Sequence, residues 1–115
     1  MSFRGSCHCG KLAYTVDEDP PTSAIECNCS ICRRKAALHH FTTPDKFRRE
    51  ADEADIQVYR FNRHTIGHMF CRTCGAAPFA EGTGPQGPMV EINLRCAEGV
   101  DLDALEIAKF DGASL

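Results

Sequence analysis

The residues with the most chemical potential in this chain are its cysteines. Eight of them occur in 115 residues, together with five histidines. They are clustered as Cys7-x-Cys9, Cys27-x-Cys29-x2-Cys32 and Cys71-x2-Cys74, with Cys96 alone. Thiols this close in sequence make poor disulfides with one another but good arms of a chelate, so the spacing points to a soft metal. Zinc takes four ligands at tetrahedral corners with Zn–S near 2.3 Å, which sets sulfurs roughly 3.7 Å apart. An extended Cys-x-Cys places both thiols on one face, so Cys7 and Cys9 can serve one ion while His8 points away. Cys-x2-Cys folds around a metal in a tight turn, and Gly10 and Gly75 follow Cys9 and Cys74 where positive φ is needed.

Joining the two-cysteine arms gives Cys7, Cys9, Cys71 and Cys74, a complete set for a closed structural site. The remaining cluster, Cys27, Cys29 and Cys32, has three thiolates. Three protein ligands and an open position form the arrangement of a catalytic zinc. Cys96 is an alternative fourth ligand that would close this second site; otherwise it reads as a buried strand residue. His39, His40, His64 and His68 are further candidates for closure. His8, flanked by two ligands, is a candidate for supporting one of them. Arg33 and Arg34 directly follow the three-cysteine cluster and are candidates for holding a substrate carboxylate, since guanidinium pairs with carboxylate bidentately. No residue stands out as a general base.

These side chains must be positioned by short strands. Lys11 to Val16 alternates with Leu12, Tyr14 and Val16 on one face, and Met89 to Cys96 with Val90, Ile92 and Leu94 inward. Further strand signals lie at Ala24-Ile25, Ala37 to Thr43, Asp55 to Asn62, Ile66 to Phe70 and Ala76 to Ala80. Glu81 to Pro88, rich in glycine and proline, reads as a surface loop. Pro44 to Ala54 has helical propensity, and Asp101 to Ala108 has a weaker one. The expectation is an all-β domain of mainly antiparallel short strands, sandwich-like, stabilised by zinc and with little helix.

Composition narrows the classes. The length fits a single domain spanning 1–115. Hydrophobic content of 43% and charged content of 25% are those of a globular chain. No apolar run approaches the roughly 20 residues that span a bilayer. The N-terminal run has no apolar h-region, so the cytoplasm is the expected compartment, where disulfides are rare. The net charge of −3 argues against nucleic acid as a partner. The opposing signal is residues 33–63, where Phe41, Phe47, Tyr59 and Phe61 lie among eight basic side chains. A thiol redox role for Cys71 and Cys74 lacks the βαβ context of such motifs. Exposed strand edges make a homodimer reasonable.

Three stretches together resemble the glutathione-dependent formaldehyde-activating enzyme family, which is grouped with centromere protein V. They are Gly5-Ser6-Cys7-His8-Cys9-Gly10-Lys11-Leu12-Ala13-Tyr14, Cys27-Asn28-Cys29-Ser30-Ile31-Cys32-Arg33-Arg34 and Phe70-Cys71-Arg72-Thr73-Cys74-Gly75. Val90 to Asp103 resembles it too. The resemblance implies a β-tent fold, two zinc ions per chain and a carbon–sulfur lyase type of activity, joining glutathione and formaldehyde as S-(hydroxymethyl)glutathione. By motif position, Cys7, Cys9, Cys71 and Cys74 match the structural ligands, and Cys27, Cys29 and Cys32 the catalytic ones. The chain departs from the family where a glycine often follows the basic pair; here Lys35-Ala36-Ala37 stands. The alternative to an enzyme is a zinc-stabilised binding module without catalysis.

Overall fold

The computed structural model describes residues 1–61 and 66–114. Among these described residues, ten strands and one short helix follow in the order β1 (Phe3–Ser6), β2 (Ala13–Val16), β3 (Ser23–Cys27), α1 (Ser30–Lys35), β4 (His39–Thr42), β5 (Phe47–Glu50), β6 (Ile56–Tyr59), β7 (Ile66–Cys71), β8 (Phe79–Gly84), β9 (Gly87–Asn93) and β10 (Glu106–Phe110). They form two sheets. The smaller runs β1-β2-β5 and the larger β10-β3-β4-β9-β8-β7-β6. All pairings are antiparallel except β10 with β3.

The core lies between the sheets, and alternation decides its members. Leu12, Tyr14 and Val16 are fully buried, as are Phe79, Ile92 and Leu94. Tyr14 of the small sheet meets Phe79 of the large one edge-on, with centroids 6.1 Å apart, and Phe47 meets Phe79 at 5.4 Å. Such aromatic pairs add about 0.5–1.5 kcal/mol beyond their burial.

Several expectations are corrected here. Pro44 to Ala54 is not a helix: it is a 3-10 turn at Pro44–Lys46, strand β5, and a second 3-10 turn at Glu53–Asp55. Pairing with β2 carries Phe47 into the aromatic core, which outweighs a propensity difference of a few tenths of a kcal/mol per residue. Asp101 to Ala108 is likewise a 3-10 turn, Leu102–Ala104, followed by β10. Most of the Glu81 to Pro88 loop is strand: β8 and β9 stay paired to Gly84↔Gly87, leaving Pro85-Gln86 as the tip. Gly87, at φ +108°, lets the hairpin turn there. β9 ends at Asn93, so Cys96 sits half-buried in a 3-10 turn, Leu94–Cys96, instead of in a strand. The helix itself, α1, falls where the sequence suggested none. Six residues are too few to show a period; Cys29, in extended conformation, precedes the helix and Cys32 lies within it.

Candidate metal centre

The four-cysteine cluster joins the two sheets. Cys7 and Cys9 lie in the β1–β2 connection, Cys71 ends β7, and Cys74 follows in a turn. The Cys7–Gly10 segment is a turn, not the expected extended strand; the Gly10 N–H donates to the Cys7 carbonyl at 3.2 Å. The turn still gathers the sulfurs, with Cys7 Sγ 3.7 Å from Cys9 Sγ, and Cys9 Sγ 3.6 Å from Cys71 Sγ. All four sulfurs lie within 4.8 Å of one another. Gly10 (φ +87°) and Gly75 (φ +81°) take the positive φ that their turns need.

Backbone donors surround these sulfurs. The Leu12 N–H points at Cys7 Sγ and the Thr73 N–H at Cys71 Sγ, each at 3.3 Å. The N–H groups of Ala76 and Cys9 pull the Cys74 thiol down to about 6. Those of Cys74 and Thr73 lower Cys71. Cys9 goes the other way, to about 11: the Lys11 N–H lowers it, but burial and the sulfurs of Cys71, Cys7 and Cys74 outweigh that donor. One thiol ionises easily and the next resists because like charges crowd, and a divalent cation would relieve that conflict. Spacing, donors and charge fit a closed tetrahedral zinc site. His8 is exposed and turned to solvent.

The three-cysteine cluster is local. Cys27 ends β3, Cys29 immediately precedes α1, and Cys32 lies within it; their sulfurs are also within 4.8 Å of one another. All three are half-buried. Cys29 is lowered because the N–H groups of Cys32 and Ile31 and its sulfur neighbours outweigh burial. Cys32 is raised by burial and by the sulfurs of Cys29 and Cys27. Among the described residues no fourth Cys, His, Asp or Glu joins this trio. Cys96 belongs to neither cluster, and burial pushes its thiol up to about 11. His39 Nδ1 hydrogen-bonds Glu91 and His40 Nε2 hydrogen-bonds Glu18 at 2.7 Å, and neither histidine joins the trio. His68 stacks on Phe61, and burial and Lys35 lower its pKa. His64 lies outside the described residues.

A cavity of about 510 Å³ opens beside Cys27 and Cys32. Arg33 lines it, whereas Arg34 turns back on its own helix, donating to the Ser30 carbonyl at 2.9 Å. Arg95 lines it too, fixed by a bond from Nε to the Ala36 carbonyl at 2.7 Å. Sequence reasoning missed Arg95, and also Asn28 and the Asp111-Gly112 turn, which sit against the trio. The Asp-Gly dipeptide was the available turn signal; nothing local tells which sulfur the turn approaches. Ala36 takes the left-handed conformation at the end of α1 (φ 57°), a backbone position that favours glycine.

A family model described as glutathione-dependent formaldehyde-activating enzyme matches residues 2–106. Among solved structures, a crystal structure of a Rhodobacter sphaeroides protein is 26% identical, covers 91% of this chain and 99% of its own, and superposes with a TM-score of 0.76.

Proposed function

The chain belongs to the glutathione-dependent formaldehyde-activating enzyme family, and from that premise we propose that it is a zinc-dependent, carbon–sulfur lyase-type enzyme acting on adducts of a thiol such as glutathione and an aldehyde such as formaldehyde. The observation that carries this reading is the trio: three convergent thiols, no fourth protein ligand among the described residues, and a cavity beside them lined by Arg33. In this reading Cys7, Cys9, Cys71 and Cys74 hold a structural ion, and Cys27, Cys29 and Cys32 a catalytic one. When bound, the second ion supplies Lewis acidity and lowers the pKa of a thiol or water in its open position.

The protein's own part is to place the reactants. Arg33 pairs with a carboxylate of the thiol substrate, and Arg95 adds a second positive charge on the same wall. Their charge offsets the negative trio. Arg34, which the sequence also suggested for binding, keeps only a peripheral role. The reaction adds the thiol across the aldehyde: the S–C bond forms, the carbonyl π bond opens, and the thiol proton ends on oxygen. The reverse step breaks the same C–S bond.

The binding-module alternative, with nucleic acid as partner, draws less support. Phe47 is spent on the core, Arg49 pairs with Glu53 and Glu81, and Lys46 with Glu18. No helix among the described residues is long and apolar enough to cross a membrane; a single cytoplasmic domain suits the thiol chemistry.

The test is NMR exchange spectroscopy of glutathione and formaldehyde with the zinc-loaded protein. Exchange into the hemithioacetal faster than the uncatalysed rate supports the enzyme; a rate equal to background leaves only the binding module.

A further inference from the structure

We propose that the C-terminal segment Glu106–Ser114 is a clamp on the three-cysteine site, in which Asn28 and Gly112 are positioning residues that hold Cys27 for the metal. The proposal rests on the reading of that trio as a metal site. The segment lies almost wholly beyond residues 2–106, which the family match covers.

β10 runs parallel to β3 and stays in register up to Phe110 opposite Cys27. Every residue of β10 is exposed, so the strand buries no side chain in the core. Its purpose is better sought at its end. There the Asn28 N–H donates to the Phe110 carbonyl at 3.3 Å. Asn28 Nδ2 donates to Asp111 Oδ1 at 3.0 Å, and Asn28 Oδ1 accepts from the Ala113 N–H at 2.9 Å. Ser114 Oγ closes the turn on Asp111 Oδ2 at 2.6 Å. Asn28, placed between two ligands of the trio, thus uses both ends of its amide to fix the turn.

Gly112 completes the contact. A Cβ added there would stand 2.5 Å from Cys27 Sγ and 3.3 Å from Cys29 Cβ. The glycine is not needed for a left-handed backbone, since its φ is not among the positive values found at Gly10, Gly75, Gly87 and Gly99. Close approach to the sulfur is therefore the reason for it. Gly112 thus stands against the Cys27 sulfur, and Lys109, Phe110 and Asp111 of the same segment line the cavity beside Cys27 and Cys32. Groups that orient metal ligands in this way typically tune metal affinity by about 10–100-fold.

The experiment compares the full chain with Gly112→Ala and Asn28→Ala. Zinc per chain is measured by elemental analysis, and cobalt(II) titrations follow thiolate charge-transfer and d–d absorption. The four-cysteine site is the internal control. The expected result is a first ion bound as in the parent, a second bound about 10–100-fold more weakly with an altered cobalt spectrum, and a melting temperature close to the parent's. Gly112→Ala introduces a clash, and Asn28→Ala only removes bonds, so agreement between them separates the clamp from misfolding. Parental affinity and spectrum for the second ion in both variants would overturn the clamp, as would parallel loss of both ions. A parent chain that binds one ion only would instead overturn the reading of the trio on which the clamp rests.

Discussion

Cys7, Cys9, Cys71 and Cys74 come from two turns in different sheets, with Cys9 and Cys71 separated by 62 positions. Cys27, Cys29 and Cys32 come from six consecutive residues at the end of one strand and the start of one helix. Cys7 and Cys71 are buried at 2% and 1% exposure, whereas every member of the trio is half-buried beside a cavity. The difference teaches how one ligand type serves two purposes. On the proposed reading, an ion in the quartet would close a long loop and tie the small sheet to the large one, so that its binding energy would be folding energy. An ion in the trio would close a loop that the backbone has already closed, leaving its binding energy and an open position for chemistry.

The largest effect expected from this contrast is in the quartet. Cys71→Ser should cost about 4 kcal/mol or more and release the structural ion, as read by denaturant unfolding and zinc content. Cys29→Ser should do the converse. It should lose one ion and at least about 100-fold of the exchange rate while shifting stability by about 1 kcal/mol or less. If the two variants destabilise equally, the contrast is wrong.

Acidification sharpens it further. Protons compete with metal for thiolates, so thiols whose pKa is lowered keep their ion to lower pH. Each cluster holds thiols of both kinds: in the quartet Cys74 (about 6) and Cys71 are lowered and Cys9 is raised, and in the trio Cys29 is lowered and Cys32 raised. Metal-linked stability is thus present at high pH and lost as pH falls, and the trio, with three protein ligands against four, should empty first. A chelator-release titration read by zinc content at each pH would show two steps in that order; a single shared step would sink the distinction.

The smallest effect concerns Ala36. Its left-handed conformation costs an L-residue roughly 1–2 kcal/mol, partly offset by the extra freedom glycine has when unfolded. Ala36→Gly should therefore stabilise the chain by about 1 kcal/mol or less in thermal unfolding, with the quartet's metal affinity unchanged.

Much of this was legible in the residues. The strands came through because burial on one face imposes alternation, as at Leu12, Tyr14 and Val16 and again at Val90 and Ile92. The helix over Pro44 to Ala54 was misread because Phe47 answers to Tyr14 and Phe79 across the core, and a local window contains neither partner. α1 was missed for the opposite reason: its six residues carry no period of their own. The spacing groups Cys7 and Cys9 with Cys71 and Cys74, as the folded chain does, but expects a strand where there is a turn, since both can bring two such thiols together.

The sequence by itself determined the three chelating arms, Cys7-x-Cys9, Cys27-x-Cys29-x2-Cys32 and Cys71-x2-Cys74, because chelation by closely spaced thiols is a property of local backbone geometry. Only the tertiary structure decided that Arg33 and Arg95 face the cavity while Arg34 does not. It alone decided that Cys96 joins neither cluster, and that a glycine near the C-terminus lies against the Cys27 sulfur. Those outcomes depend on strand pairing and on which helical face meets the sheet, and such contacts between distant segments leave no mark in the spacing of neighbouring residues.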